Sequence, residues 1–266
     1  TAEKLQPWIK KGARAFPGTL EDVSFLARAF QGADGVFAMI PPNMQTPDFR
    51  AYQNRVGTAI AEALKTAGVH YVVNLSSVGG HLDRGNGPVA GLYDQEQRLN
   101  QMAGVNVVHL RPAFFMENLM MNIGLIRDKG INGSPLRADL KFPMIATRDI
   151  ARVAANYLMA GRISGKVVQE LLGQRDLSMQ EATAILGRAI GKPGLPYVQF
   201  PYADASQAMI GMGLSSDLVR LFIEMYQGFN EGTILRGIVR TPQNTTETAF
   251  EDFAVEFADL MKRPPG

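Results

Sequence analysis

The chain has 266 residues, of which 46 % are apolar and 20 % charged, and its formal net charge is +2, so it is an ordinary globular sequence with room for one large domain or two unequal ones. This balance excludes a nucleic-acid footprint, and the apolar runs are too short to span a membrane. There is no cysteine for a disulfide or thiolate site, and the histidines, His70, His81 and His109, are too scattered to ligate a metal. Because residues 1–4 lack the apolar core of a signal peptide, we expect a cytoplasmic protein.

The first half of the chain alternates short apolar runs with helical periodicities. An amphipathic pattern at residues 3–11 predicts a helix, and the brief run that follows at 13–16 is a candidate strand. The next helix is predicted at 20–30, where Thr19 and Asp22 imitate a capping box. The pattern then predicts, in order, a strand at 35–40, a helix at 47–67 ended by Gly68, and strands at 71–75 and 105–110.

Polar residues follow the last two of these strands, which a polar helical segment at 91–103 separates as in a parallel βαβ unit. In open α/β sheets the carboxyl ends of the strands hold the ligand. One interpretation is therefore a small-molecule site built from Ser76, Ser77, Tyr93 and residues 112–118. The other is a sheet edge that turn-forming residues merely close.

The second half of the chain is less regular. Residues 127–141 hold glycine and proline among charges and indicate an irregular segment. Thr147 opens a predicted helix and caps it, residues 167–172 form a predicted strand, and Ser178 with Glu181 forms a capping-box pair. The remainder of the chain is predicted to be mainly helical.

This order of elements predicts an α/β fold with a doubly wound, mainly parallel Rossmann-type sheet and a smaller, helix-rich C-terminal lobe. We assign residues 1–112 and 144–172 to a nucleotide-binding domain. Residues 113–143 and 173–266 then form the smaller lobe, which would complete a substrate or partner cleft.

Three polar residues receive structural explanations from their positions. His109 lies in the middle of a predicted strand, where a hydrogen-bonded imidazole is the ordinary explanation. Asp149 fits an acid in the first turn of a helix, which the helix dipole favours. Arg111 is left with two interpretations, a phosphate contact or a pair with a carboxylate.

The chain resembles the NmrA-like branch of the atypical short-chain dehydrogenase/reductases at PGTLEDVSFLARAFQGADGVFAMIPP, LSS, LRPAFFMENL and ATRDIARVAA. The resemblance covers most of residues 1–172 and continues more weakly through LSMQEATAILGRAIGKP. It implies an NAD(P)-binding Rossmann domain with NADP or NAD as the cofactor. It also implies that the turn after Phe16 lies by the adenine and the turn after Ile40 by the ribose or phosphate. Ser76, Ser77 and residues 112–115 would face the nicotinamide.

The resemblance and the edge together give the predicted site residues. The cofactor-binding residues are Thr19, Leu20, Ile40, Pro41, Pro42, Asn43, Ser76, Ser77, Tyr93, Gln97, Pro112, Ala113, Phe114 and Phe115. The substrate-contacting residues are Val78, Gly79, Phe115, Met116, Asn118 and Met144. Tyr93 and Ser77 are the predicted catalytic residues, and no metal ligand is predicted.

The sequence departs from the family in three ways. It has no strand followed by a glycine-rich loop that would hold the pyrophosphate. Thr19 replaces the acidic residue near the adenine. Short-chain reductases pair a tyrosine with a lysine four residues on, because the cation lowers the pKa of the phenol, whereas here Gln97 follows Tyr93.

Two functions remain open on this evidence. The first is an NAD(P)H-dependent oxidoreductase acting on a quinone or another apolar carbonyl compound, a quinone reductase in which Ser77 polarises the carbonyl and Tyr93 donates a proton. The second is a non-catalytic redox sensor that binds the dinucleotide and a protein partner, which Gln97 favours. A serine hydrolase is rejected, since the nucleophile elbow needs a glycine two residues before the serine and Leu75 stands there.

We also expect a segment before Thr1. The family fold begins with two strands that lie in the middle of the sheet, between the strands predicted at 13–16 and 35–40. A strand-helix-strand start would add roughly 30 to 45 residues. Without these strands, residues 13–16 should be detached from the sheet or paired with residues 35–40, and dinucleotide binding should be weak.

Overall fold

Strands and helices alternate along residues 2–263, the part of the chain that the computed structural model describes. In chain order the strands are β1 (Val36–Ala38), β2 (Tyr71–Leu75), β3 (Asn106–Pro112), β4 (Phe114–Phe115), β5 (Asn132–Ser134), β6 (Phe142–Ile145), β7 (Lys166–Leu171), β8 (Asp176–Leu177) and β9 (Tyr197–Gln199). The helices are α1 (Ala2–Ile9), α2 (Val23–Phe30), α3 (Phe49–Ala67), α4 (Ala90–Asn100), α5 (Ile123–Lys129), α6 (Thr147–Ala160), α7 (Met179–Ala189), α8 (Tyr202–Gly211), α9 (Ser216–Asn230) and α10 (Phe250–Lys262). Short 3-10 helices, Gly87–Val89 and Met116–Asn122, precede α4 and α5.

The central sheet has four parallel strands in the order β1-β2-β3-β7. Val72 pairs with Val107, and Val108 pairs with Val167, so the β-branched residues of neighbouring strands stand side by side. Val72 and Val107 pack against α2, α3 and α4, whereas Val108 faces α6 and the C-terminal lobe. The sheet is therefore covered on both faces, which confirms the predicted doubly wound, parallel α/β fold.

The predicted strand at residues 13–16 does not form. This segment is irregular, and within residues 2–263 it pairs with no strand. β1 is the edge of the described sheet, and Phe37 and Met39 on and beside it are 41 % and 46 % exposed. Because an isolated run of four residues has no hydrogen-bonding partner, it gains nothing from an extended conformation.

Two predicted helix caps are wrong. The second helix starts at Val23 rather than at residue 20, because the Asp22 side chain accepts a hydrogen bond from the backbone N–H of Phe25 and takes the N-cap position. The helix at Thr147 is capped from outside. Glu117 accepts hydrogen bonds from both the backbone N–H and the hydroxyl of Thr147. A carboxylate supplied by a distant segment leaves no local sequence signal.

The lobe contains more strands than the sequence indicated. Residues 127–141, predicted to be irregular, hold the end of α5 and all of β5, which pairs with β9. β4, β6 and β8 form a second small sheet, in which β6 and β8 are antiparallel. The capping box of Ser178 and Glu181 is confirmed, with both reciprocal hydrogen bonds present. One large apolar core runs from the central sheet into this lobe, where Phe250, Phe253 and Phe257 are almost fully buried.

Among residues 2–263, no helix is both long and apolar enough to cross a bilayer. The same stretch holds no group of three or more His, Cys, Asp or Glu side chains arranged to bind a metal ion.

Candidate functional site

The carboxyl ends of β2 and β3 are joined by backbone hydrogen bonds that continue past the strands. The N–H of Ser76 donates to the carbonyl of Leu110 at 2.8 Å, and the N–H of Val78 donates to the carbonyl of Pro112 at 3.0 Å. Ser77 is therefore fixed beside Pro112 at this edge. The edge occupies the place where open α/β sheets bind their ligands.

A buried ionic cluster supports this edge from the α4 side. The carboxylate of Glu96 accepts hydrogen bonds from Nε and Nη2 of Arg111 at 2.9 and 2.6 Å, and from the hydroxyl of Ser76 at 2.5 Å. Glu96 is 1 % exposed and Ser76 is 3 % exposed. The hydroxyl of Ser76 is thus committed to Glu96, and of the two interpretations of Arg111 the structure supports a carboxylate pair.

The next turn of α4 brings Tyr93 to the edge. α4 runs antiparallel to β3, with Asn100 bonded to His109 and, one turn earlier, Glu96 bonded to Arg111. One turn of α4 covers about 5.4 Å along the helix, and two residues of β3 cover about 6.6 Å along the strand, so the two elements advance nearly in step. The next turn of α4, which begins at Tyr93, therefore lies level with the end of β3. Tyr93 is half-buried, and its hydroxyl makes no hydrogen bond to any residue the structure describes.

Gln97 shares one side of α4 with Tyr93, as the helical spacing requires. It is exposed, and its side chain makes no hydrogen bond within residues 2–263. A neutral amide at this position supplies no charge to the phenol of Tyr93.

The loop after β1 is held by the C-terminal lobe. The backbone N–H of Ser215 donates to the carbonyl of Met44 at 2.9 Å. The hydroxyl of Tyr52 donates to the carbonyl of Pro41 at 3.1 Å. Asn43 uses its side-chain oxygen within its own turn, accepting from Gln45 at 3.3 Å. Of the predicted residues in this loop, Ile40 is buried and Pro42 and Asn43 are exposed.

The predicted adenine-side residues lie before α2. Thr19 is exposed, and its hydroxyl accepts a 3.4 Å hydrogen bond from the N–H of Glu21. Leu20 packs on the core between α2 and α3. The described contacts connect this turn to α3, through Glu21 and Arg55, and not to the ends of β2 and β3.

The predicted apolar wall divides into buried and accessible residues. Phe114 and Phe115 are half-buried, and Phe114 meets Phe142 edge to face at 5.5 Å between ring centres. Asn118 is exposed, whereas Gly79 packs on Ile234. The remaining predicted residues, Val78, Ala113, Met116 and Met144, are each 3 % exposed or less and fill the core.

α9 closes the turn that follows β2. The carboxylate of Glu224 accepts a hydrogen bond from the N–H of Gly85 at 2.7 Å, and Asp217 accepts one from the N–H of Phe49 at 2.9 Å. Two open grooves of about 510 and 330 Å³ run along α9. Their lining includes Leu82, Arg220 and Glu224 but none of the predicted site residues.

Sequence reasoning missed Glu96, which supports the edge, and also Glu224 and Asp217, which bond α9 to Gly85 and Phe49. The only signal for any of them was Arg111, a buried-strand arginine that needed a counter-charge. Nothing in the sequence identified which of its 25 acidic residues would supply it.

The comparison with known protein families decides the assignment. The model of the NmrA-like family matches residues 1–254. The chain belongs to the NmrA-like family. A curated relative, the NAD(P)H azoreductase of Xenophilus azovorans, is 32 % identical over 97 % of this chain and 85 % of its own length.

Solved structures share the fold of this NmrA-like chain. An NADPH-dependent quinone oxidoreductase from Escherichia coli, complexed with NADPH, superposes with a TM-score of 0.78 at 19 % identity, covering 96 % of this chain and 87 % of that one. The triphenylmethane reductase of Citrobacter sp., complexed with NADP(H), gives a TM-score of 0.78 at 15 % identity, covering 97 % and 88 %. At these identities the likeness concerns the fold alone.

Proposed function

We propose that this NmrA-like chain is an NAD(P)H-dependent reductase of a quinone or a chemically similar apolar acceptor. Azo compounds are included among these acceptors, because the curated relative is named an azoreductase. The observation that carries the proposal is the convergence of Ser77, Pro112 and the Tyr93 turn of α4 at one sheet edge. The half-buried Phe114 and Phe115 lie at the same edge and suit an apolar ring.

The residues of this edge fit one end of a nicotinamide dinucleotide. Ser77 makes no side-chain hydrogen bond within residues 2–263 and lies beside the apolar Pro112, which suits the nicotinamide ring and its amide. No strand in the same stretch is followed by a G-x-x-G-x-x-G loop that opens a helix, so we assign no residue to the pyrophosphate.

Side chains of this protein would supply the proton and the hydrogen bonds that the reduction needs. When bound, the reduced nicotinamide supplies a hydride. The hydroxyl of Ser77 would donate a hydrogen bond to the acceptor, and the hydroxyl of Tyr93 would donate the proton. The aromatic wall would exclude water from the acceptor ring. No described contact favours the alternative of a sensor that binds a protein partner.

Tyr93 and Gln97 test the proposal. Tyr93→Phe should lower kcat by about 10²-fold, the low end of general acid catalysis, because Gln97 leaves the phenol without a cation. Gln97→Lys should raise kcat by on the order of tenfold, since a cation four residues on favours the phenolate that proton transfer produces. Both are measured as NADPH oxidation with menadione.

Gln101→Lys is the matched control for the added charge, because Gln101 is also exposed and lies one further turn from the edge. It should leave kcat unchanged. Brisk turnover that Tyr93→Phe does not reduce would show that Tyr93 is not the proton donor.

A further inference from the structure

His81 lies in the turn after β2 and has no role in the function proposed above. The turn is closed by two backbone hydrogen bonds, from Gly80 to Ser77 at 2.9 Å and from Leu82 to Gly79 at 3.0 Å. His81 itself is exposed, and its ring makes no hydrogen bond to any residue from 2 to 263. An unpaired imidazole on a short, closed turn is available to a ligand.

The turn that carries His81 is rigid for reasons that its own sequence does not show. Asn86 is completely buried, and its amide nitrogen donates to the carbonyls of Gly79 and Leu82 at 2.9 and 2.8 Å. These two carbonyls flank His81. The amide of Asn86 therefore fixes the backbone on both sides of the histidine.

The same turn is pressed against the ionic cluster of the edge. A Cβ on Gly80 would lie 2.8 Å from both the Ser76 hydroxyl and a carboxylate oxygen of Glu96, so residue 80 has no room for a side chain. His81 is the next residue after Gly80, and its ring is near enough to Arg111 to be affected by that charge. Arg111 pairs with Glu170 on the neighbouring strand β7. The turn that carries His81 thus lies at the end of β3, the level that the Tyr93 turn of α4 reaches.

The charge state of the ring follows from these neighbours. Desolvation by the neighbouring groups lowers the pKa of the exposed His81 below its usual value, the positive charge of Arg111 lowers it further, and Glu170 and Glu96 partly oppose this. At pH 7 the ring is neutral, with one N–H donor and one acceptor nitrogen.

Resting on the proposed reductase function, we propose that His81 contacts the acceptor, and that its ring N–H donates a hydrogen bond to the oxygen or nitrogen on which negative charge develops. The chain lacks the cation that short-chain reductases place after the tyrosine, since Gln97 is neutral and Arg111 is neutralised by Glu96. A preorganised N–H at the edge supplies part of that missing stabilisation.

The test compares His81→Ala and His81→Gln with His70→Ala. His70 is an equally exposed histidine at the opposite end of β2, where it bonds to the carbonyl of Gly104. His81→Ala should lower kcat/KM for menadione by on the order of tenfold, because one donor to the developing charge is lost. His81→Gln, which keeps an N–H donor, should recover part of this loss, and His70→Ala should lose nothing.

Two binding measurements separate this inference from the reductase function. Calorimetric titration with NADPH should give the same affinity for wild type and His81→Ala, and titration with menadione should give a weaker affinity for the variant. If the wild type turns over no acceptor, the reductase proposal fails, and weaker menadione binding by His81→Ala still supports the contact. An unchanged menadione affinity together with an unchanged kcat/KM, or a loss confined to NADPH affinity, would overturn the role of His81.

Discussion

His109 is a polar side chain held in a sheet whose other inward positions are mostly apolar. Its two ring nitrogens bond to Asn74 at 3.1 Å and to Asn100 at 3.0 Å, as the structural explanation of this mid-strand histidine predicted. Asp149 is likewise structural, but in a different way. It is 1 % exposed and accepts hydrogen bonds from the backbone N–H and hydroxyl of Thr248, so it anchors a distant loop rather than only serving a helix dipole.

His109 predicts a specific loss of stability in acid. Burial lowers its pKa to about 4, against 6.5 for the free side chain. Below pH 6.5, His109 binds a proton in the unfolded chain but not in the folded chain. The free energy of unfolding therefore falls as pH drops from 6.5 towards 4. The full effect is about 3 kcal/mol.

Urea unfolding at pH 7 and at pH 5 measures this dependence. His109→Gln, which has no titrating group, should be less stable at pH 7 but should lose less stability between the two pH values. An equal loss in both proteins would contradict the assignment of the acid sensitivity to His109.

α9 is the element that connects the C-terminal lobe to the candidate site. Besides the carboxylates of Asp217 and Glu224, it makes a close backbone contact with the turn before α4. Gly87 has φ +59°, and a Cβ there would collide with the carbonyl oxygen of Leu221 on α9. Gly85, two residues earlier, has φ +74° but open space around it. The turn thus needs glycine at both positions, for different reasons.

The two glycines predict unequal losses of stability when each is replaced by alanine. Gly85→Ala introduces a left-handed alanine, which costs about 1 kcal/mol of stability. Gly87→Ala adds a steric clash with the α9 backbone, which costs a further 1 to 3 kcal/mol or so and should displace α9 from the edge. The free energies of unfolding measured in urea give the comparison directly.

The losses of activity in the two glycine variants should follow the same order as their losses of stability. If α9 holds the His81 turn in place, Gly87→Ala should also lower kcat/KM for menadione more than Gly85→Ala. Equal stabilities of the two variants would show that α9 does not pack this closely against the turn in solution.

At the level of the whole molecule, the sheet could be predicted from the sequence and the closure of its edge could not. β2 has the predicted bounds, and β3 and β7 lie within two residues of theirs. The β-branched runs of β2 and β3 are buried in the middle of the sheet and leave one interpretation, whereas β7 lies at its edge, where Val168 is 46 % exposed. The strand predicted at residues 13–16 does not form, because so short a strand depends on pairing with a neighbouring strand, and the local sequence does not show whether that neighbour is present. Glu117 on Thr147 and Glu96 on Arg111 were invisible for the same reason.

The division into a nucleotide-binding domain and a smaller lobe stays a prediction. The main apolar core passes from Val108 of β3 to Phe253 of α10 without interruption, so the two parts share one interior. The meeting of Ser77 with Pro112 could be predicted, since the ends of neighbouring parallel strands lie at one edge, and the roles of the site residues stay predictions. Which of them face a ligand depends on burial, and this separates Phe114 and Phe115 from the enclosed Met116 and Met144.

In the proposed function, this chain passes reducing equivalents from NAD(P)H to an apolar acceptor at the edge formed by Ser77, Tyr93 and Pro112. The most direct measurement is the stoichiometry of NADPH consumed against acceptor reduced, without oxygen, with menadione and with the azo dye methyl red. We expect one NADPH for each hydroquinone formed and two for each azo bond cleaved to amines, with both rates reduced by Tyr93→Phe. NADPH that binds but is not consumed with either acceptor, or is consumed at the same rate without one, would contradict the account.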